Sequence, residues 1–314
     1  MSSYHSPLTT DRLPPAAGPY SGRFAPSPTG PLHFGSLVTA LGGFLQARRA
    51  GGTWSLRIDD IDPARDSKAA ADIIPRQLEA LGLGWDGPIV YQSARTARHR
   101  EVAEQLLAQG LAFRCACTRR QLSAAPAGAD GPIYPGTCRR RARAGKTRHA
   151  IRVRVEPGVV GIGDPVQGEI ACDVAAVLGD FVIRRADGPV AYQLAAALDD
   201  VDEGYTEVVR GADLLYSTLR QVYLHRLLGL ISPAYLHLPI AVNAKGEKLS
   251  KQTHAPPLDS ARPGPQLVAA LDFLAQQPPA ELGTYAPADI LAWAVVHWQP
   301  GRLRGISRRP AAAV

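Results

Sequence analysis

Three groups of residues have types and spacings suited to chemistry. The first is segment 23–36, RFAPSPTGPLHFGS, where Pro26, Pro28 and Pro31 stiffen a turn and Gly30 and Gly35 let a ligand approach the backbone. A helix beginning at its end would aim N-terminal N–H groups at the same place, the arrangement that binds phosphate. His33 and Ser36 add an imidazole N–H and a hydroxyl for phosphate oxygens. Taken alone, the segment reads equally well as an ordinary Pro/Gly loop capping a helix. The second group is AKGEKLSKQ, residues 244–252, with Lys245, Lys248 and Lys251 against one counter-charge, Glu247. Ammonium groups on a flexible loop can close over a triphosphate and neutralise the charge that develops as pyrophosphate leaves. Without the first group it would be a solvated charged loop.

The third group is Cys115, Cys117 and Cys138. Zinc takes tetrahedral ligands, and three thiolates fill three of its four positions. His149 is the conventional type for the fourth, and buried or reactive free thiols remain the alternative. Cys172 stands apart as a small core residue.

The elements that must position these groups follow from periodicity. A short strand around 20–24 precedes the proline turn. In SLVTALGGFLQARR, Leu37, Leu41, Phe44, Leu45 and Arg48 fall at helical spacing. TWSLRIDDID predicts a second strand, DSKAAADIIPRQLEALG a helix broken or kinked at Pro75, and TARHREVAEQLLAQG a helix ending at Gly110. Alternating strands and helices predict an α/β fold with a Rossmann-like, doubly wound parallel sheet and a ligand crevice beyond the carboxyl ends of its strands. The cysteines lie in an inserted module, in which IRVRVEPGVVGIGDPVQGEI reads as strand or hairpin. The basic run 139–154 holds eight Lys/Arg and no acid, fitting either nucleic-acid phosphates or a solvated face. The expected organisation is a flexible tail over 1–20, catalytic halves over 21–112 and 191–255, a zinc-containing connective module over 113–190, and a small helical subdomain over 256–314.

Composition narrows the partners. The 314 residues are 46% apolar, enough for a sizeable core, and 35 Lys+Arg against 28 Asp+Glu give a formal charge of +7. An anionic partner is favoured, whether nucleotide, nucleic acid or membrane surface. No apolar run is long enough to span a membrane and the N-terminus lacks the pattern of an export signal, so a cytoplasmic protein with no membrane partner is expected, most simply a monomer.

PSPTGPLHFGS resembles the "HIGH" motif and KLSKQ the "KMSKS" motif of class I aminoacyl-tRNA synthetases; with RFAPSPTG, RIDDIDPAR and VVRGAD between them, the chain is similar to the glutamyl branch from about residue 22 to 252. More narrowly it resembles the glutamyl-queuosine tRNA(Asp) synthetases, which lack the anticodon-binding half. The resemblance implies that ATP, with magnesium, activates L-glutamate, and that glutamate is then transferred to the queuosine base of tRNA(Asp). It implies that Arg23, Phe24, Ala25, Pro26, Ser27, Asp59, Tyr192 and Arg210 contact glutamate. His33, Gly35, Ser36 and Lys251 would contact ATP, with His33, Lys248 and Lys251 as the catalytic residues. It also implies that Cys115, Cys117, Tyr134 and Cys138 hold a structural zinc. Two guanidinium groups, Arg23 and Arg210, suit a dicarboxylic amino acid because each can pair bidentately with one carboxylate. Without the resemblance, strand-end ion pairs among Arg57, Asp60, Asp62 and Arg65 are the plainer reading.

The chain departs from the family pattern at Asp59, where Glu is usual, at Ser36 for the final His, and at Leu249 and Gln252 for Met and Ser. Two other functions remain: a truncated glutamyl-tRNA synthetase charging a tRNA 3′ end, and a non-catalytic zinc-containing RNA-binding protein.

Overall fold

The computed structural model describes residues 18–140, 148–249 and 255–311. Strand β1 (Ser21–Phe24) runs through the proline turn into helix α1 (Phe34–Arg49), and β2 (Thr53–Ile58) returns beside β1. Helix α2 (Lys68–Ala80), strand β3 (Val90–Tyr91) and helix α3 (Thr96–Ala108) follow. The next segment holds β4 (Ala112–Cys115), α4 (Arg119–Ser123), β5 (Ala127–Gly128), β6 (Gly131–Pro132), β7 (Ala150–Val153), β8 (Val159–Asp164), β9 (Gly168–Asp173), α5 (Val174–Val177) and β10 (Val182–Arg184). The chain then returns through α6 (Tyr192–Asp202), β11 (Glu207–Gly211), α7 (Leu215–Leu228), β12 (Ala234–Leu238) and β13 (Ile240–Val242). Helices α8 (Pro263–Phe273) and α9 (Pro287–His297) and strand β14 (Arg308–Pro310) complete it.

The expected parallel pairing is present. β1 pairs parallel with β2, β2 with β3, and β11 with β12. The two parallel groups meet between β1 and the entry to β11, where the Thr206 amide donates to Ser21 O at 2.8 Å. This apposition brings the carboxyl ends of β1 and β11, and with them Arg23 and Arg210, to one crevice. The inserted segment is antiparallel instead: β7 lies between β4 and β10, and β8 and β9 form the expected hairpin.

Helix α1 carries Gly42 and Gly43 in its interior, which costs about 1 kcal/mol per glycine relative to Ala. At Gly42 the reason is close approach, since a Cβ would meet Leu238 Cδ1 at 2.4 Å. The helix therefore lies tightly on β12 and its N-terminus is fixed against the sheet. Helix α2 runs unbroken through Pro75, against the expected break. Ile74 and Leu78 on either side are fully buried, so packing of the apolar face outweighs the single lost hydrogen bond.

Two apolar clusters support the crevice. One joins Leu37, Leu41 and Leu45 of α1 and Trp54 and Leu56 of β2 to Leu267, Leu271, Ile290 and Leu291 of the C-terminal helices. The other joins Val102 and Leu106 of α3, Ile151 and Val153 of β7, and Leu194, Leu219 and Tyr235. The C-terminal segment also contributes strand β14, which pairs parallel with β13; the Ala311 amide extends the ladder by donating to Val242 O at 2.9 Å. Its sequence, RRP, has no alternation from which a strand could be read.

Candidate active site

A cavity of about 450 Å³ opens at the carboxyl ends of β1 and β11. Arg23, Phe24, Ala25, Pro26 and Ser27 line one wall, with His33, Gly35 and Ser36 beside them. Tyr192, Arg210 and Lys248 line it as well, and Leu249 O lies 3.5 Å from where a Gly35 Cβ would sit, so two motif segments far apart in sequence meet at one space. Asp59 is not among the lining residues, and Lys251 lies outside the described residues, as does Gln252.

The proline turn is held from three directions. The Asp59 amide donates to Pro26 O at 3.0 Å, the Ser67 amide to Pro28 O at 2.8 Å, and Gln77 Oε1 accepts from the Leu32 amide at 2.7 Å. Gly30, at φ 153°, supplies a conformation that side-chain-bearing residues rarely adopt. His33 is the N-cap of α1, and its Nδ1 accepts from the Ser36 amide at 3.3 Å. A Cβ at Gly35 would meet the His33 ring at 3.2 Å, so this glycine lets the imidazole fold over the helix start. In neutral His33 an accepting Nδ1 leaves the hydrogen on Nε2, the polarity a phosphate oxygen requires.

The second motif is more ordered than a flexible loop at its described end. Asn243 Oδ1 accepts from the Lys245 and Glu247 amides at 2.9 and 3.0 Å, and the Leu249 amide donates to Ala241 O at 2.8 Å. This braced turn carries Lys248, whose Nζ lies 2.5 Å from Asp213 Oδ2 at the cavity wall.

Three arginines line the cavity, Arg23, Arg65 and Arg210, and the two buried ones, Arg23 and Arg210, differ in their partners. Arg23 makes a bidentate pair with Asp200, Nε to Oδ1 at 2.9 Å and Nη2 to Oδ2 at 3.1 Å. Arg57 donates to the same Asp200 Oδ1 at 2.9 Å and to Asp59 Oδ1 at 2.7 Å. The four groups form one buried chain, Arg23, Asp200, Arg57 and Asp59. Burial alone would push the Asp200 carboxyl up, but the guanidinium charges of Arg23 and Arg57 outweigh it and hold it well below the usual range. For Asp59 burial wins, and its carboxyl is raised despite the Arg57 contact. Arg57 therefore pairs with Asp59 and Asp200, whereas Asp62 pairs with Arg65 and Arg185, and Asp60 accepts from Ser93.

Arg210, only 3% exposed, has neutral partners: Gln221 Oε1 at 2.8 Å, Thr218 Oγ1 at 2.5 Å, and His237 Nε2 and Tyr192 Oη at 3.4 Å. Among the described residues no carboxylate lies within ion-pair distance of it. A buried guanidinium whose direct partners are all neutral, with Asp200 the nearby carboxylate whose charge it feels, is an arrangement that can pair with a ligand carboxylate. Asp200, Thr218, Gln221 and His237 escaped the sequence reading, and Arg57 entered it only as a strand-end ion-pair residue. The one available signal was the pair Asp199 and Asp200 at the end of an apolar helix run, since buried charges require partners.

Away from the cavity, the sulfurs of Cys115, Cys117 and Cys138 lie within 4.8 Å of one another, with Cys117 and Cys138 at 3.6 Å. Tyr134 Oη is 3.5 Å from Cys115 Sγ and 3.7 Å from Cys117 Sγ. The ligand atoms of tetrahedral zinc with thiolates are spaced about 3.8 Å apart, so three sulfurs and one phenol oxygen already stand near the corners of such a site. Burial would raise the Cys115 thiol, but its Tyr134 contact and the nearby Arg152 lower it overall, whereas burial raises the Cys117 thiol, so the cluster as a whole is not held as thiolate by its surroundings. Within the basic run, Arg139 pairs with Asp180 and Glu156, Arg152 stacks on Tyr134, and Arg154 bonds Gly110 O. These three side chains brace the cysteine module, while residues 141–147 lie outside the described residues.

The profile of class I tRNA synthetases for E and Q, catalytic domain, matches residues 21–259. The glutamyl-Q tRNA(Asp) synthetase of Aromatoleum aromaticum is 51% identical over 284 residues, covering 90% of this chain and 90% of that protein. That of Dechloromonas aromatica is 51% identical over 283 residues, covering 89% of this chain and 94% of that protein. Among solved structures, a glutamate tRNA ligase from Elizabethkingia meningosepticum in complex with its amino acid superposes with a TM-score of 0.74. It is 25% identical, and the match covers 94% of this chain and 68% of that one.

Proposed function

The chain belongs to the catalytic-domain family of class I glutamyl and glutaminyl tRNA synthetases, and from that premise we propose that it activates L-glutamate with ATP, without tRNA, and transfers the glutamyl group to the queuosine base in the anticodon of tRNA(Asp). The observation that carries the substrate class is Arg210, a buried cation with neutral partners opening on a cavity shared with both phosphate-binding motifs. One carboxylate of glutamate pairs with Arg210, and Arg23 with the 24–27 backbone walls the same space. The α-carboxylate then attacks the α-phosphorus of ATP in line; the new P–O bond replaces the bond to pyrophosphate, which leaves. Magnesium bound with ATP shields charge on the phosphate oxygens. His33 Nε2–H and Lys248 both meet the phosphates, Lys248 exchanging Asp213 for the nucleotide. A hydroxyl of the queuosine cyclopentenediol attacks the activated carbonyl, an ester forms, and AMP departs carrying the bonding electron pair while the hydroxyl proton passes to its phosphate. No described helix is long and apolar enough to cross a membrane.

The test incubates the purified protein with ATP and labelled glutamate on total tRNA from queuosine-containing and queuosine-deficient cells. Label is expected on tRNA(Asp) from the first source alone. Equal labelling of tRNA(Glu) from both sources would instead make this a synthetase charging the tRNA 3′ end.

For the cysteine module we infer a structural zinc held by Cys115, Cys117, Cys138 and Tyr134, supported by the spacing of their ligand atoms. A site closed by four protein ligands has no open position for catalysis, so the metal supplies folding energy to a module whose own apolar cluster is small. Elemental analysis is expected to find one zinc per chain. Cys117→Ser should lose it and lower the thermal midpoint, while glutamate-dependent ATP–pyrophosphate exchange in the folded fraction stays within about threefold, since the site is remote from the cavity lining.

A further inference from the structure

Behind Arg210 lies a second buried chain of polar groups that reaches out of the catalytic half into the β8–β9 hairpin. Asp164, the last residue of β8, accepts four N–H groups at 2.8 Å: the amides of Val166 and Gln167 on Oδ1, and the amide and ring Nδ1 of His237 on Oδ2. With Nδ1 committed as a donor, a neutral His237 presents an accepting Nε2. That nitrogen lies 2.7 Å from Thr218 Oγ1 and 3.4 Å from Arg210 Nε; the single Thr218 hydrogen has two acceptors in reach, this nitrogen and Leu214 O at 3.0 Å, and in either case a lone pair on Oγ1 faces Arg210 Nη2. Asp164 and His237 are 5% and 0% exposed, and neither side chain lines the cavity. Burial first, and then the charge of Arg210, push the His237 pKa down despite Asp164, which keeps the ring neutral beside the guanidinium.

We propose that Asp164 is a positioning residue for the carboxylate grip of Arg210, acting through the tautomer of His237 and the hydroxyl of Thr218. Resting on the glutamate reading of the cavity, it gives the inserted hairpin a direct part in amino-acid binding. From the hairpin as far as the His237 ring the donor sense is set by Asp164, whose ionised carboxylate can only accept. An amide at 164 can turn its NH2 toward the ring, which reverses the tautomer, sets an N–H against Arg210 and tilts the guanidinium. The carbonyl-facing rotamer of that amide would still weaken the bond, because a charged acceptor becomes a neutral one.

The measurement is glutamate-dependent ATP–pyrophosphate exchange with the full chain, reading the KM for glutamate, the KM for ATP and kcat separately. Asp164→Asn is expected to raise the glutamate KM about tenfold or more while the ATP KM moves less than twofold. Thr218→Val should do the same, and Thr218→Ser, which restores the hydroxyl, should return the KM to near the parent value. In the His237→Phe background Asp164→Asn should add less than twofold, because the ring it acts through, which touches both Thr218 and Arg210, is gone. If Asp164→Asn does not fold, His237→Phe alone takes its place against the same thresholds. A folded Asp164→Asn protein with unchanged glutamate KM overturns the proposal. So does an equal rise in both His237 backgrounds, or a parallel rise in the ATP KM. Absence of exchange in the parent protein would instead overturn the glutamate reading itself.

Discussion

Arg210→Met is expected to lower kcat/KM for glutamate in the exchange reaction by about 10²- to 10³-fold, the loss that follows when one partner of a buried, hydrogen-bonded charge pair is removed. The protein should remain folded. Thr218, Gln221, His237 and Tyr192 are neutral acceptors, so no counter-ion is stranded when the guanidinium goes. The methionine also keeps an apolar stem against Tyr235, over whose ring the guanidinium carbon sits 5.1 Å from the centroid. Arg210→Lys should fall between the two, because a single ammonium cannot satisfy acceptors spread around three nitrogens. A glutamate kcat/KM within fivefold of the parent for Arg210→Met would remove Arg210 from the amino-acid site.

Asp200→Asn should destabilise the chain by about 3–5 kcal/mol in urea unfolding followed by tryptophan fluorescence, as when a buried ion-pair network loses its shared member. Among the described residues Asp200 is the one carboxylate paired with Arg23, and it shares Arg57 with Asp59 and, at 3.7 Å, Glu203; both guanidinium groups are almost wholly buried. The pH dependence follows from the direction of its shift. The folded-state pKa is depressed, so the contribution of Asp200 is complete above its unfolded value of about 3.9 and is lost as pH falls through the folded value. Asp59 acts oppositely: its folded pKa is raised, so its contribution is complete below the unfolded value and declines as pH rises through the folded one. The parent protein should therefore lose stability below about pH 4 along a limb that Asp200→Asn lacks. An Asp200→Asn stability curve running parallel to the parent down to about pH 2 would sink this account.

What the sequence made legible was local. The proline turn, the start of α1, the lysine turn and the cysteine spacing each lie within a short window, and their residue types announce their chemistry. Arg23 and Arg210 were legible as a pair only through family resemblance. Partners were not legible, because they come from far along the chain: Asp200 reaches Arg23 across 177 positions and Arg57 across 143. Nothing in the run that ends at Asp199 and Asp200 announced that both would be buried, or which arginine would be left with neutral partners. Strand β14 was missed for a related reason. Three residues paired with a distant strand carry no pattern of their own, and the pairing is set by the packing of α8 and α9 against α1.

The β13–β14 pairing has a consequence for the order of events on the ribosome. Strand β13 leads directly into the lysine turn, yet its partner is synthesised only after both C-terminal helices. While residues 308–310 are still inside the exit tunnel, β13 has an open edge and the nascent chain carries both nucleotide motifs without the pairing that anchors the second. A chain stalled before β14 would present the lysine turn without the strand that pairs beside β13.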